Sequence, residues 1–147
     1  MTTFYTNEMA FELPPVETID RSVNILETVA PSGGEITILV QRFPVPEGKS
    51  LRELSAIRVS NATRTRAGYK VLSQADTEVA GAAAIEVAAR WRADVGVVFV
   101  KEIHFSLGPI WMVIAGHGPL ADRAHTEERL AHVLGSARVR EGEGHTL

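Results

Sequence analysis

Apolar residues in this chain recur mostly at every second position. The runs in which they do so are separated by proline, glycine and polar clusters, the pattern of strands joined by turns. The first run is Phe4 to Leu13, with Met9, Phe11 and Leu13 on one face and Pro14-Pro15 stopping it. Ser22 to Val29 and Glu35 to Phe43 follow as a hairpin through Pro31-Ser32-Gly33-Gly34. Pairing Val29 with Glu35 puts Val23, Ile25, Leu39 and Gln41 on one face, because side chains alternate along a strand. Tyr69 to Gln74, Val97 to Ser106 and Ile110 to Ala115 read as further strands. Ala82 to Arg92 is rich in alanine, which favours helix, yet Ile85, Val87, Ala89 and Trp91 alternate with Glu86, Ala88, Arg90 and Arg92. The alternation predicts a strand there too.

Two segments break the period of two. Ser50-Leu51-Arg52-Glu53 is a capping box, in which the Ser50 hydroxyl accepts from the Glu53 amide while Glu53 reaches back. It predicts a helix to about Arg66, with Leu51, Leu54 and Ile57 inward, ending before Gly68. A second helix is predicted over Ala121 to Arg138, with Ala124, Leu130, Val133 and Leu134 inward. The order is strands, helix, strands, helix. It predicts an α+β fold: a single curved antiparallel sheet of about six to seven strands with two helices packed on one face. One domain spans 1–139, and 140–147 reads as a flexible C-terminal tail.

Several strands are apolar on both sides. Ile36, Ile38 and Val40 oppose Leu39; Val97 and Phe99 oppose Val98 and Val100; Ile110, Met112 and Ile114 oppose Trp111, Val113 and Ala115. A sheet with one face in water should alternate apolar and polar residues, so part of this one needs cover from a second copy, a client or a lipid.

Composition narrows the function classes. The formal net charge of −3 and scattered arginines offer nothing to a polyanion, so nucleic acid is not an expected partner. Without cysteine there is no disulfide framework, thiolate nucleophile or lipidated N-terminal cysteine, which fits a cytoplasmic location. Met1 to Leu13 lacks the basic start and long apolar run of a secretory signal. Ile103 to Ala121 carries no Asp, Glu, Lys or Arg over 19 residues, but Pro109, Pro119 and three glycines make it a hairpin and not a membrane helix.

Few constellations resemble chemistry. Gly116-His117-Gly118-Pro119-Leu120-Ala121 imitates a dinucleotide fingerprint, but no parallel strand follows the helix and Pro119 removes an amide a phosphate would use. His125 and His132 stand two helical turns apart, about 10.5 Å, too far to share one ion alone. No G-x-S-x-G is present, so no enzyme, cofactor or metal is expected. A small hydrolase using His104 or His117 stays open as a third reading.

The ordered series of motifs resembles a known family. A strand ending in Leu13-Pro14, Asp20-Arg21-Ser22-Val23-Asn24-Ile25-Leu26, Ile38-Leu39-Val40-Gln41-Arg42 with the helix after it, Gly68-Tyr69-Lys70, Arg90-Trp91-Arg92 and the closing helix together resemble the DcrB-like family with its PsbP-like fold, over roughly residues 3 to 138. Within it the chain looks most like the Eag-type chaperones of type VI secretion; the family's lipoprotein branch carries a signal and a lipidated cysteine. The resemblance implies a homodimer whose sheet holds the N-terminal transmembrane segments of a secreted effector, with no insertion of the chaperone itself into the membrane. It implies a groove lined by Val23, Ile25 and Leu39, with Gln41 joining them by register. Related chaperones place glutamines near the groove where this sequence has Arg58 and Glu102. The alternative within the same fold is an assembly subunit that uses its apolar sheet face for self-association.

Overall fold

The alanine-rich run is a strand. In the computed structural model, which describes residues 2–6 and 8–140, the chain forms β1 (Thr3–Tyr5), β2 (Ala10–Glu12), β3 (Val23–Val29), β4 (Glu35–Pro44), α1 (Leu51–Thr65), β5 (Lys70–Val79), β6 (Ala82–Ala93), β7 (Gly96–Leu107) and β8 (Ile110–Pro119). A 3-10 turn over Leu120–Asp122 leads into α2 (Arg123–Gly135). Six strands make one antiparallel sheet in the order β3-β4-β8-β7-β6-β5, and the α+β class holds. From residue 141 on, the tail expected over 140–147 lies outside the described residues.

The N-terminal run is not a single strand. It folds back on itself as the β1–β2 hairpin, with Phe4 opposite Phe11, and stays off the main sheet. The polar Thr6-Asn7-Glu8 interrupts the apolar alternation there, and Thr6 N–H closes the turn on the Met9 carbonyl at 2.8 Å.

The two helices also do not share a face. Alternation on β7 decides this: Lys101 points to α2, where its ammonium meets Glu127 at 3.7 Å, and its neighbour Glu102 points to α1, where it meets Arg58 at 2.8 Å. The expectation of two helices on one face fails because both faces of the central strands are apolar, and each takes one helix. α2 covers β8 and buries Leu130 against Ile38, Ile103, Phe105 and Ile114. α1 sits over β6 and β7, on the face of Ala89, Val100 and Ala115.

α1 is rotated from the expected phase, whereas α2 turns Leu130, Val133 and Leu134 inward as expected and departs only at Ala124. The Ser50 capping box is formed, and α1 buries Leu54 and Ser55 but leaves Ile57 exposed. On α2, Leu130 and Thr126 are buried while Ala124 is exposed. The fingerprint-like glycines have a packing role. A Cβ at Gly118 would stand 2.7 Å from Thr126 Oγ1, and one at Gly116 would stand 3.1 Å from Thr126 Cγ2. They let α2 approach β8 closely, as small residues do.

Candidate binding groove

β3 is an edge strand, and every one of its residues is exposed. The register pairs Val29 with Glu35, Ile25 with Leu39 and Val23 with Gln41, as the sequence predicts. These four groove candidates therefore share one face, with Val23 48% and Ile25 59% exposed. That face also carries α1, which stands beyond β8; Val113 and Ala115 of β8 are fully buried there, so β3 and β4 form the open shelf beside it. Two strands at about 4.8 Å spacing make a shelf of about 10 Å.

Arg58 and Glu102 meet where the shelf runs under α1. Arg58 Nε donates to Glu102 Oε1 at 2.9 Å, and one Nη donates to Glu102 Oε2 and to Gln41 Oε1, both at 2.8 Å. His104 Nε2 donates to Glu102 Oε1 at 3.0 Å from a fully buried ring. Burial disfavours the Glu102 carboxylate, but the hydrogen bonds from His104 and Arg58 and the Arg58 charge outweigh it, holding its carboxyl at about 2. The carboxylate is thus ionised and fully engaged. Of the sequence candidates, Leu39, Gln41, Arg58 and Glu102 line one cleft of about 390 Å³ between the shelf and α1; Val23 and Ile25 lie outside it, next to Gln41 and Leu39.

The same cleft is lined by residues the sequence reading missed: Phe43, Ile57, Asn61, Arg66, Tyr69 and Trp111. Phe43 and Trp111 were legible through the β4 and β8 alternation, and their rings pack at 5.0 Å. Arg66 was not, since it follows the last turn of α1 and is placed by its stacking 4.3 Å over the Trp91 ring. Burial and the Glu102 charge push the Tyr69 hydroxyl up, so it keeps its proton. His117 lies farther along the same face, edge-on to Trp91, and burial pushes it down to about 4. Among the described residues no cluster of His, Asp or Glu could hold a metal, and no helix is long and apolar enough to cross a membrane.

A family model described as DcrB matches residues 8–136. No curated protein matches the chain by sequence. Among solved structures, a Pseudomonas aeruginosa protein of unknown function, PA94, is similar with a TM-score of 0.82 at 19% identity, over 96% of this chain and 98% of that one. LpqN of Mycobacterium tuberculosis, described as involved in cell envelope biogenesis, has a TM-score of 0.50 at 11% identity, over 80% and 83% of the two chains. The PsbP protein of Synechocystis, CyanoP, has 0.49 at 12% identity, over 86% and 95%. At these identities the likeness concerns the fold.

Proposed function

Since this chain belongs to the DcrB family, matched over residues 8–136, we propose that it is a binding protein of type VI secretion. In this reading it acts as a chaperone that holds the hydrophobic transmembrane segments of an effector until export. The observation that carries the reading is the shelf itself. It presents Val23 and Ile25 to solvent beside Leu39 and Phe43, and α1 walls it on one side. Its width of about 10 Å matches one helix of about 10–12 Å diameter. A transmembrane helix satisfies its own backbone hydrogen bonds, so the chaperone need only replace lipid around the side chains. Burial at about 25 cal/mol per Å² supplies the driving force, reduced by the cost of association.

The protein works in this reading as a cytoplasmic homodimer, without cofactor or catalysis. The exposed edge of β3 supports self-association, because an unpaired apolar edge is a site for further pairing. Co-expression with an effector fragment carrying an N-terminal apolar hairpin tests the proposal. A soluble complex should form without detergent, with two copies of this chain by light scattering. An insoluble fragment beside a monomeric 16.0 kDa protein would overturn it.

A further inference from the structure

The polar groups of the cleft beside α1 are unequally divided between donors and acceptors. An arginine only donates, so the bond from Arg58 fixes Gln41 with its oxygen inward and leaves its amide –NH2 free. Asn61 is fixed the same way, because its oxygen accepts from Arg64. The second Nη of Arg58 and the whole Arg66 guanidinium make no hydrogen bond, while the latter stacks on Trp91. The indole N–H of Trp111, in the cleft wall, is buried without a partner. Among the described residues, the one carboxylate lining the cleft is spent: both Glu102 oxygens are taken by Arg58 and His104, and the Tyr69 hydroxyl, which can donate or accept, has no hydrogen-bond partner. The Trp111 N–H is shut off from the cleft as well as from partners, whereas the Arg66 guanidinium and the Gln41 amide are free to meet an acceptor that enters it.

Resting on the chaperone reading above, we propose that this cleft receives a carboxylate, that of a glutamate or aspartate within or beside the client's apolar segment. Arg66 supplies the charge, and the Gln41 amide supplies a further donor. Arg58 stays locked to Glu102, so it contributes a neutral wall and the site's uncompensated charge is that of Arg66. The shelf beside the cleft is as wide as a helix and far wider than one acyl chain, which favours a polypeptide over a fatty acid as the source of the carboxylate. A carboxylate that would cost dearly to bury alone is thereby accommodated beside the apolar surface.

The test uses an apolar helix of about twenty residues fused to a soluble carrier, with either one glutamate or one glutamine at its midpoint. The purified full chain should bind the glutamate form about tenfold more tightly than the glutamine form. Arg66→Gln should abolish that preference and Arg66→Lys should keep most of it, since the lysine retains the charge. The readout is the ratio of the two affinities, which should fall toward one in Arg66→Gln. Equal affinities for the two forms would overturn this proposal and leave the chaperone reading standing. Binding of neither form would overturn both. Laurate that binds more tightly than the glutamate form, with the same dependence on Arg66, would show that the cleft serves a lipid.

Discussion

The charged residues of the groove floor carry the sharpest energetic consequences at the scale of single side chains. Arg58 and Glu102 form a bidentate pair in which Glu102 is 6% exposed, and such pairs are costly to break and cheap to replace whole. Glu102→Gln alone strands a guanidinium and should cost about 3 kcal/mol in urea unfolding, as should Arg58→Gln, which strands the carboxylate. The double variant places two amides where two charges stood and should recover most of the loss; additive costs would show that the pair is not coupled. His117 predicts the pH response. Its ordinary value is 6.5 and burial lowers it to about 4, so between those values the unfolded chain binds a proton that the folded chain does not. Stability is therefore full above 6.5 and falls as the pH drops toward 4, by about 3 kcal/mol in all. Glu102, depressed from 4.5 to about 2, adds a second loss in the more acid window. His117→Gln should flatten the unfolding midpoint between pH 6.5 and 4 while leaving the steeper fall below 4.5. An unchanged slope between 6.5 and 4 would mean that His117 is not buried in its neutral form.

Among the elements, the docking of α2 on β8 depends on two missing side chains. Gly118→Ala would push a methyl to 2.7 Å from Thr126 Oγ1 and 3.3 Å from Ile36, in a place where Thr126 is fully buried. Overpacking of this kind costs about 1–3 kcal/mol. Adding Thr126→Ala should return part of that stability, because the obstructing atoms leave; a double variant less stable than either single one would refute this contact. Local pairing was the legible part of the sequence. The Pro31-to-Gly34 turn fixed the β3–β4 register, and the Ser50–Glu53 box marked the start of α1, since both signals lie within a few residues. What the sequence concealed was which face each helix chooses. With Ile103 and Phe105 on one side of β7 and Val100 on the other, the pattern supports a helix on either face, and only long-range contacts such as Arg58 with Glu102 decide. The phase of α1 was hidden for the same reason. Arg58 takes an inward position that a hydrophobic reading would give to Ile57, because its partner waits 44 residues away.

Across the whole molecule, two helices on opposite faces leave the β3 end of the sheet uncovered on both sides. Ile25 is 59% exposed on the α1 face and Leu26 is 55% exposed on the α2 face, so the two adjacent residues differ mainly in direction. Their comparison separates a directed groove from a generally sticky edge. Neither Ile25→Asp nor Leu26→Asp should move the melting temperature by more than a few degrees, because exposed substitutions change stability by about 0.5 kcal/mol or less. Client binding should divide them. An aspartate at position 25 faces the shelf where an apolar helix would lie, without a cation beside it, and desolvating that charge should abolish the complex. An aspartate at position 26 points to the other side of the sheet and should leave the complex intact. If both variants lose the client equally, the edge of β3 and not the shelf is what the client holds. If Ile25→Asp keeps it, the groove lies elsewhere on the molecule.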